Sequence, residues 1–322
     1  MRPTFRTWIK HLILLLITLC TATVAGVIFP FGRIPFNVAD PQNSSEAIQL
    51  AINLPLHYLN MIATAINALL TDSRLLTDGL SFSLSLLFIL LSHEMGHYIA
   101  CRRYQLDATL PYFLPLYLGP VGLQIGTLGA VIRIREPFPT RKVLFDVGIA
   151  GPIAGFVVLV PALFIGMYMS TLTISPPPET LTFIGKPLLF RLARWLVFGP
   201  IPEGSIVNLH PMVFAAWFGM LATALNLLPF GQLDGGHITY ATLGRASTPI
   251  SLVTVASALV MTYLSRSWLL MTVLMVFMLV MFGPRHPPVL NEYEPLGVGR
   301  QRLALFALAM LLLCFTPFPI DL

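Results

Sequence analysis

Apolar runs of bilayer-crossing length recur along this chain, over about 11–29, 80–101, 143–171, 206–228, 249–264, 267–282 and 303–319. A hydrocarbon core of about 30 Å takes roughly 20 apolar residues wound as a helix. The runs therefore predict an all-α polytopic membrane protein with about six or seven transmembrane helices, the fifth and sixth being short for the task. Composition agrees, with 56% hydrophobic and 10% charged residues and a mean hydropathy of +0.80. The length would suit two or three soluble domains, but the repeated runs predict one integral membrane domain over residues 1–322.

A net charge of +5 and a pI near 9.3 would suit a nucleic-acid partner. Lys and Arg cluster instead at the ends of the apolar runs, where they orient helices and meet anionic headgroups. Membrane lipids are the expected partners, and nucleic acid is excluded. Cys20, Cys101 and Cys314 lie far apart and form neither a C-x-x-C pair nor a disulfide framework.

Arg2, Arg6 and Lys10 precede the first run, which reads as a retained helix rather than a signal peptide because it continues past the small residues at 22–25 to Pro30. Residues 45–70 show helical periodicity broken at Pro55 and read as an interfacial or bundle-packed segment. Residues 108–136 are punctuated by Pro111, Pro115, Gly119, Pro120, Gly122, Gly126 and Gly129, and end in the alternating Val131-Ile132-Arg133-Ile134-Arg135. That pattern reads as strands and turns, and non-helical backbone at membrane depth survives only where protein or a wet cavity covers it. A re-entrant β-hairpin near the charged cluster at 93–97 is expected. The small residues of Gly151-Pro152-Ile153-Ala154-Gly155 read as packing. Residues 172–204 read as a connector holding Pro176-Pro177-Pro178 and an amphipathic piece around 190–198.

Chemistry concentrates in His93-Glu94-Met95-Gly96-His97, at the end of the 80–101 run. Residues four apart on a helix share a face, so both imidazoles can reach one metal, with a carboxylate beside them to take a proton from water. Ionisable groups inside an apolar helix are costly and mark function. A catalytic zinc takes three protein ligands and keeps one position open, so a third ligand is needed. Asp234 is the candidate: Pro229 should end the preceding helix, and the glycines at 231, 235 and 236 let the chain turn the carboxylate back. The positive-inside bias puts the N-terminus in the cytosol and the acidic 30–79 segment outside. It then brings His93, His97 and Asp234 to one depth near the cytosolic side. His237 is read as lying near the metal without ligating it, His210 as structural, and Asp146 as a helix-start or interfacial residue.

Asn226-Leu227-Leu228-Pro229 followed by Leu233-Asp234-Gly235, together with the His93–His97 cluster, resembles the site-2 protease family of intramembrane zinc metalloproteases. Gly151-Pro152 and residues 126–135 also resemble that family's core, and the likeness spans about residues 80–240. The resemblance implies one Zn²⁺ held by His93, His97 and Asp234, Glu94 as general base, and Asn226 as a substrate-orienting or oxyanion-supporting amide. It implies proteolysis of a transmembrane segment of a single-pass or other membrane protein. The domain then divides into an N-terminal helix and interfacial segment (1–79), a catalytic core (about 80–240) and C-terminal helices (241–322), with no room for the PDZ or CBS domains many members carry. The exposed hairpin edge, at Gly129, Val131 and Ile132, is the candidate for pairing with an extended substrate. The expected location is a plasma or inner membrane, or an organelle equivalent, with the active site toward the cytosol.

A prenyl-protein protease would need a downstream Glu on an apolar span, and di-iron desaturases need several histidine boxes; neither pattern is present. A non-catalytic chaperone-like relative should lack Glu94 or a ligand. A metal transporter should carry polar residues along several spans, whereas these are mostly apolar.

Overall fold

The computed structural model describes residues 4–28, 34, 43–115, 125–174, 184–202 and 204–319. Pro30, Gly119, Pro120, Gly122 and Pro176-Pro177-Pro178 lie outside the described residues. The elements run α1 (Phe5–Ala25), α2 (Ser44–Thr71), α3 (Ser73–Arg103), β1 (Tyr112–Pro115), β2 (Thr127–Val131), α4 (Arg141–Met169), β3 (Thr171–Ile174), α5 (Leu188–Phe198), β4 (Ser205–Asn208), α6 (Pro211–Asn226), α7 (Asp234–Leu243), α8 (Ser247–Leu264), α9 (Leu269–Phe282) and α10 (Val298–Cys314). Helix starts follow local chemistry: the side chains of Thr4, Asn43, Asp72 and Thr140 accept bonds from the first free N–H groups of α1, α2, α3 and α4.

Among the described residues, four helices are long and apolar enough to cross a membrane: Phe5–Ala25, Ser73–Arg103, Arg141–Met169 and the 31-residue Asp234–Leu264, in which a 3₁₀ turn at Gly244–Ala246 joins α7 to α8. The run expected over 206–228 contributes the shorter α6, whose 16 residues span about 24 Å. The expected break at Pro55 is absent, and α2 runs through it. Pro55 and Ala51, whose carbonyl the missing N–H would have met, are both exposed, so the lost bond leaves no buried orphan.

The core lies where α3, α4 and α6 meet. Phe82, Leu86 and Ile89 of α3 pack with Leu159, Leu163 and Met167 of α4 and with Val213, Phe214, Trp217 and Met220 of α6. Small residues let these helices approach: a Cβ on Gly96 would strike the backbone of Ala150, and one on Gly219 would meet Leu159 at 2.9 Å and Ile89 at 3.0 Å. A second cluster, with Leu144, Phe145, Ile149, Ile238, Ala241 and Met310, binds α4 to α7 and α10.

Helix α1 runs antiparallel to α3. Thr23 meets Ser83 at 2.7 Å near one end, while at the other end the His11 Nδ1–H donates to the Pro111 carbonyl at 2.7 Å. Strands β1 and β2 form an antiparallel ribbon with a register irregularity between Phe113 and Pro115. The pairing continues beyond them, through Thr109 N–H to Arg133 O at 3.0 Å and Arg135 N–H to Asp107 O at 2.9 Å. Strands β3 and β4 form a second ribbon at the other end of α4, paired in regular register from Thr171↔Asn208 to Ile174↔Ser205.

Candidate metal centre

Helix α3 supplies His93, Glu94 and His97, each at least nine-tenths buried. Helix α4 crosses beside them, and the carbonyl of Val147 lies 2.7 Å from His97 Nδ1. A carbonyl can only accept, so Nδ1 carries the proton, and in the neutral imidazole the Nε2 lone pair faces inward.

Asp234 arrives from the opposite side. Helix α6 ends at Asn226, and the segment 227–233 turns through Gly231, whose φ of +55° suits glycine. The chain re-enters a helix with Leu233 as N-cap and Asp234 as first residue of α7. Asp234 thus opens a new helix rather than closing the preceding one, where the helix dipole favours a carboxylate. Gly235 and Gly236 permit the tight return, since a Cβ on either would collide with the backbone of 227–231.

The three donors converge. His93 Nε2 lies 3.1 Å from Asp234 Oδ2, His97 Nε2 lies 3.2 Å from Asp234 Oδ1, and the two Nε2 atoms are 3.1 Å apart. Donors held about 2.0–2.1 Å from a tetrahedral zinc lie roughly 3.3 Å from one another, so the set fits that ion. Two imidazoles and a carboxylate are also the donor chemistry that zinc takes. Among the described residues, these three form the one group of this kind.

Glu94 stands beside the cluster, and its carboxylate faces the backbone N–H of Ile132, just past β2. Asn226 Nδ2 lies 3.4 Å from His93 Nε2. Gly129 (φ +102°) has open space where a side chain would stand, Val131 is about half exposed and Ile132 is half-buried. Thr21 of α1 holds the ribbon through a 2.6 Å bond to the Gly126 carbonyl.

Several contributors escaped sequence reasoning. The Gly151–Gly155 segment packs, as expected, but what it packs against is the site: a Cβ on Gly151 would collide with the His97 ring, and one on Gly155 would lie 3.2 Å from the Cβ of His93. Gly148, on the same face, gives room to His237, whose Cβ lies 2.9 Å from where a side chain would begin. The spacing 148, 151, 155 is a helical stripe, and that stripe was the available signal. His237 stands outside the donor cluster; its Nδ1 lies 2.7 Å from His286 Nε2, while His286 Nδ1 donates to the Pro287 carbonyl. Burial holds the His286 imidazole below its ordinary pKa. His210 caps α6, accepting from Met212 N–H at 3.3 Å, and takes no part in the site. Asp146 sits in the second turn of α4, where Arg300 grips both of its oxygens at 2.8 and 2.7 Å.

Residues 81–270 match the family model described as Peptidase family M50. The chain belongs to peptidase family M50. Membership accords with the site-2 protease resemblance read from its motifs. Among its relatives are the probable zinc metalloprotease EGY2, chloroplastic, of Oryza sativa subsp. indica, 31% identical over 84% of this chain and 48% of the relative. The probable zinc metalloprotease EGY1, chloroplastic, of Arabidopsis thaliana is 26% identical over 96% of this chain and 53% of its own length. The chain thus spans about half the length of the curated relatives it matches. No solved structure matches it. All of α7 and the part of α3 that carries His93, Glu94 and His97 fall inside the matched residues of this M50 protein, and α10 falls outside them.

Proposed function

We propose that the chain is an intramembrane zinc endopeptidase that cleaves a transmembrane segment of a membrane-protein substrate near the cytosolic side, or the equivalent face of an organelle membrane. The observation that carries this reading is the convergence of His93, His97 and Asp234 with Glu94 beside them, inside helices apolar enough to span. The orientation rests on charge: Arg102, Arg103, Arg133, Arg135, Arg141 and Lys142 lie at or beyond the helix ends nearest the metal centre. The start of α1 lies at that end too, through His11 and Pro111. The chloroplast relatives make an organelle membrane one candidate location.

His93, His97 and Asp234 would hold a zinc ion, which when bound would supply Lewis acidity to polarise a peptide carbonyl and ease loss of a proton from water. Glu94 accepts that proton and returns it to the departing amine. The Ile132 N–H orients the Glu94 carboxylate toward this exchange. Asn226, fixed at the end of α6, offers its amide to the substrate carbonyl oxygen as negative charge gathers there. A helical substrate has its carbonyls bonded internally, so it must unwind before cleavage. The outer edge of β2, around Gly129, Val131 and Ile132, takes the unwound strand alongside Glu94. In this reading the ribbon is re-entrant, covered by α1 and α3.

The test is a trapping comparison between wild type and Glu94→Gln in native membranes. A membrane protein enriched full-length with the variant, and clipped near the metal-end face by wild type, is the expected result. Identical profiles from folded, metal-loaded proteins would overturn the assignment.

A further inference from the structure

The candidate ligands sit on α3 and α7 and the groups that orient them on α4, and the register of these three helices must be held closely, because the Val147 carbonyl has to meet His97 Nδ1 while Gly151 passes the same ring. Asp146 precedes Val147 on α4. Its two carboxylate oxygens take a two-pronged bond from Arg300 Nε and Nη2 at 2.8 and 2.7 Å, and the Tyr104 hydroxyl donates to Oδ2. Two-pronged Arg–carboxylate pairs fix geometry as well as charge. Tyr104 caps α3. It follows His97 by two helical turns and so lies on the face that carries both histidine ligands. Arg300 is in the first turn of α10, beyond the residues matched to the family.

The segment leading into α10 is stitched to the same helices. Leu290 and Asn291 N–H groups bond to the Phe138 and Pro139 carbonyls at 3.1 and 2.9 Å. Glu292 accepts from the Tyr240 hydroxyl at 2.6 Å, Glu294 meets Lys142 at 2.6 Å, and His286 engages His237. Residues 286–300 thus lie as a strap across α4 and α7, and Arg300–Asp146–Tyr104 is the point where the strap also reaches α3.

We propose that Arg300, Asp146 and Tyr104 are positioning residues for the metal centre: they lock α4 against the end of α3 so that the Val147 carbonyl holds His97 in its ligating orientation. The inference rests on the metal reading of His93, His97 and Asp234, and the experiment separates the two. The full-length protein is purified with Co²⁺ in place of zinc, and its visible absorption and the rate of metal release to a chelator are measured alongside peptide cleavage. Arg300→Gln and Asp146→Asn should each shift the Co²⁺ bands, speed metal release by about 10-fold and lower kcat by about 10-fold with KM unchanged. Arg300→Lys keeps the charge but loses the two-pronged bond, and should fall between. Lys142→Gln removes a neighbouring ion pair of the same strap, and should lower thermal stability while leaving spectrum and release rate at wild-type values.

Wild-type spectra and release rates in Arg300→Gln and Asp146→Asn would overturn the proposal, as would Lys142→Gln changing them equally. Should those two variants fail to fold, Arg300→Lys and Tyr104→Phe carry the same readings. A wild-type protein that binds no Co²⁺ in a manner dependent on Asp234 would sink the metal reading itself, and the positioning proposal with it.

Discussion

The two ends of the helix bundle use the same kinds of element to different effect. Each has a two-stranded ribbon. The far one, β3–β4, keeps a regular register and leaves every β3 side chain exposed. The one at the metal end, β1–β2, is irregular, carries two glycines with positive φ, and is gripped by α1. Helix α4 shows the same contrast within one element. Gly166 near its far end makes room for the backbone and side chain of Val213, whereas Gly151 makes room for a candidate metal ligand. Close packing is needed at both ends; only at one does the packing set the geometry of a donor atom.

The contrast is tested most sharply by changes matched across it. The largest effect belongs to Glu94→Gln, which should lower cleavage by about 10²–10⁴-fold with metal retained. Its far-end counterpart, His210→Gln, disturbs a helix cap and should cost about 1 kcal/mol of stability with cleavage by the folded protein unchanged. Next come Gly151→Ala and Gly166→Ala. Both overpack the helix interface, at about 1–3 kcal/mol each. Only Gly151→Ala should also weaken metal retention and activity, by roughly 10–100-fold; equal metal content per folded molecule in the two variants would erase the distinction.

Smaller again is the ribbon pair. Ile132→Pro removes the N–H that faces Glu94 and should slow cleavage or shift the cut site, read by mass spectrometry of the products. Thr173→Pro breaks a β3–β4 pairing and should do neither. The smallest effect is on acid stability. The hydrogen bond from Lys142 holds the Glu294 carboxyl below its ordinary value of 4.5. A carboxyl depressed in the folded state stabilises above its unfolded pKa, and that contribution fades as pH falls through the folded value. Glu294→Gln should therefore flatten the stability profile below about pH 4.5, measured by thermal melts across pH, and leave neutral-pH activity unchanged.

What was legible in the sequence was whatever a local spacing or a membrane depth could encode. His93 and His97 are four apart on one helix, so their meeting was forced once that helix formed. Asp234 was found by asking which acidic residue reached the same depth, and Asn226 came from the motif around Pro229. Less legible was whatever depends on the register between helices. The glycine stripe at 148, 151 and 155 looks the same in sequence whether it faces lipid, helix or imidazole. Nothing local ties Asp146 to Arg300, 154 positions away. The opening of α7 at Asp234 was hidden because two glycines follow it, residues that weaken a helix in isolation but here permit a backbone contact that a side chain would block. Pro55 misled for the opposite reason, since a proline on an exposed face costs less than its general propensity suggests.

The most direct test of the central claim is zinc K-edge X-ray absorption on the purified protein, compared with Asp234→Ala. The account predicts one zinc per chain, two imidazole nitrogens and oxygen neighbours at about 2.0–2.2 Å, with zinc lost or one oxygen neighbour replaced in Asp234→Ala. Zinc absent from the wild type, or bound with scattering unchanged by loss of Asp234, would contradict it.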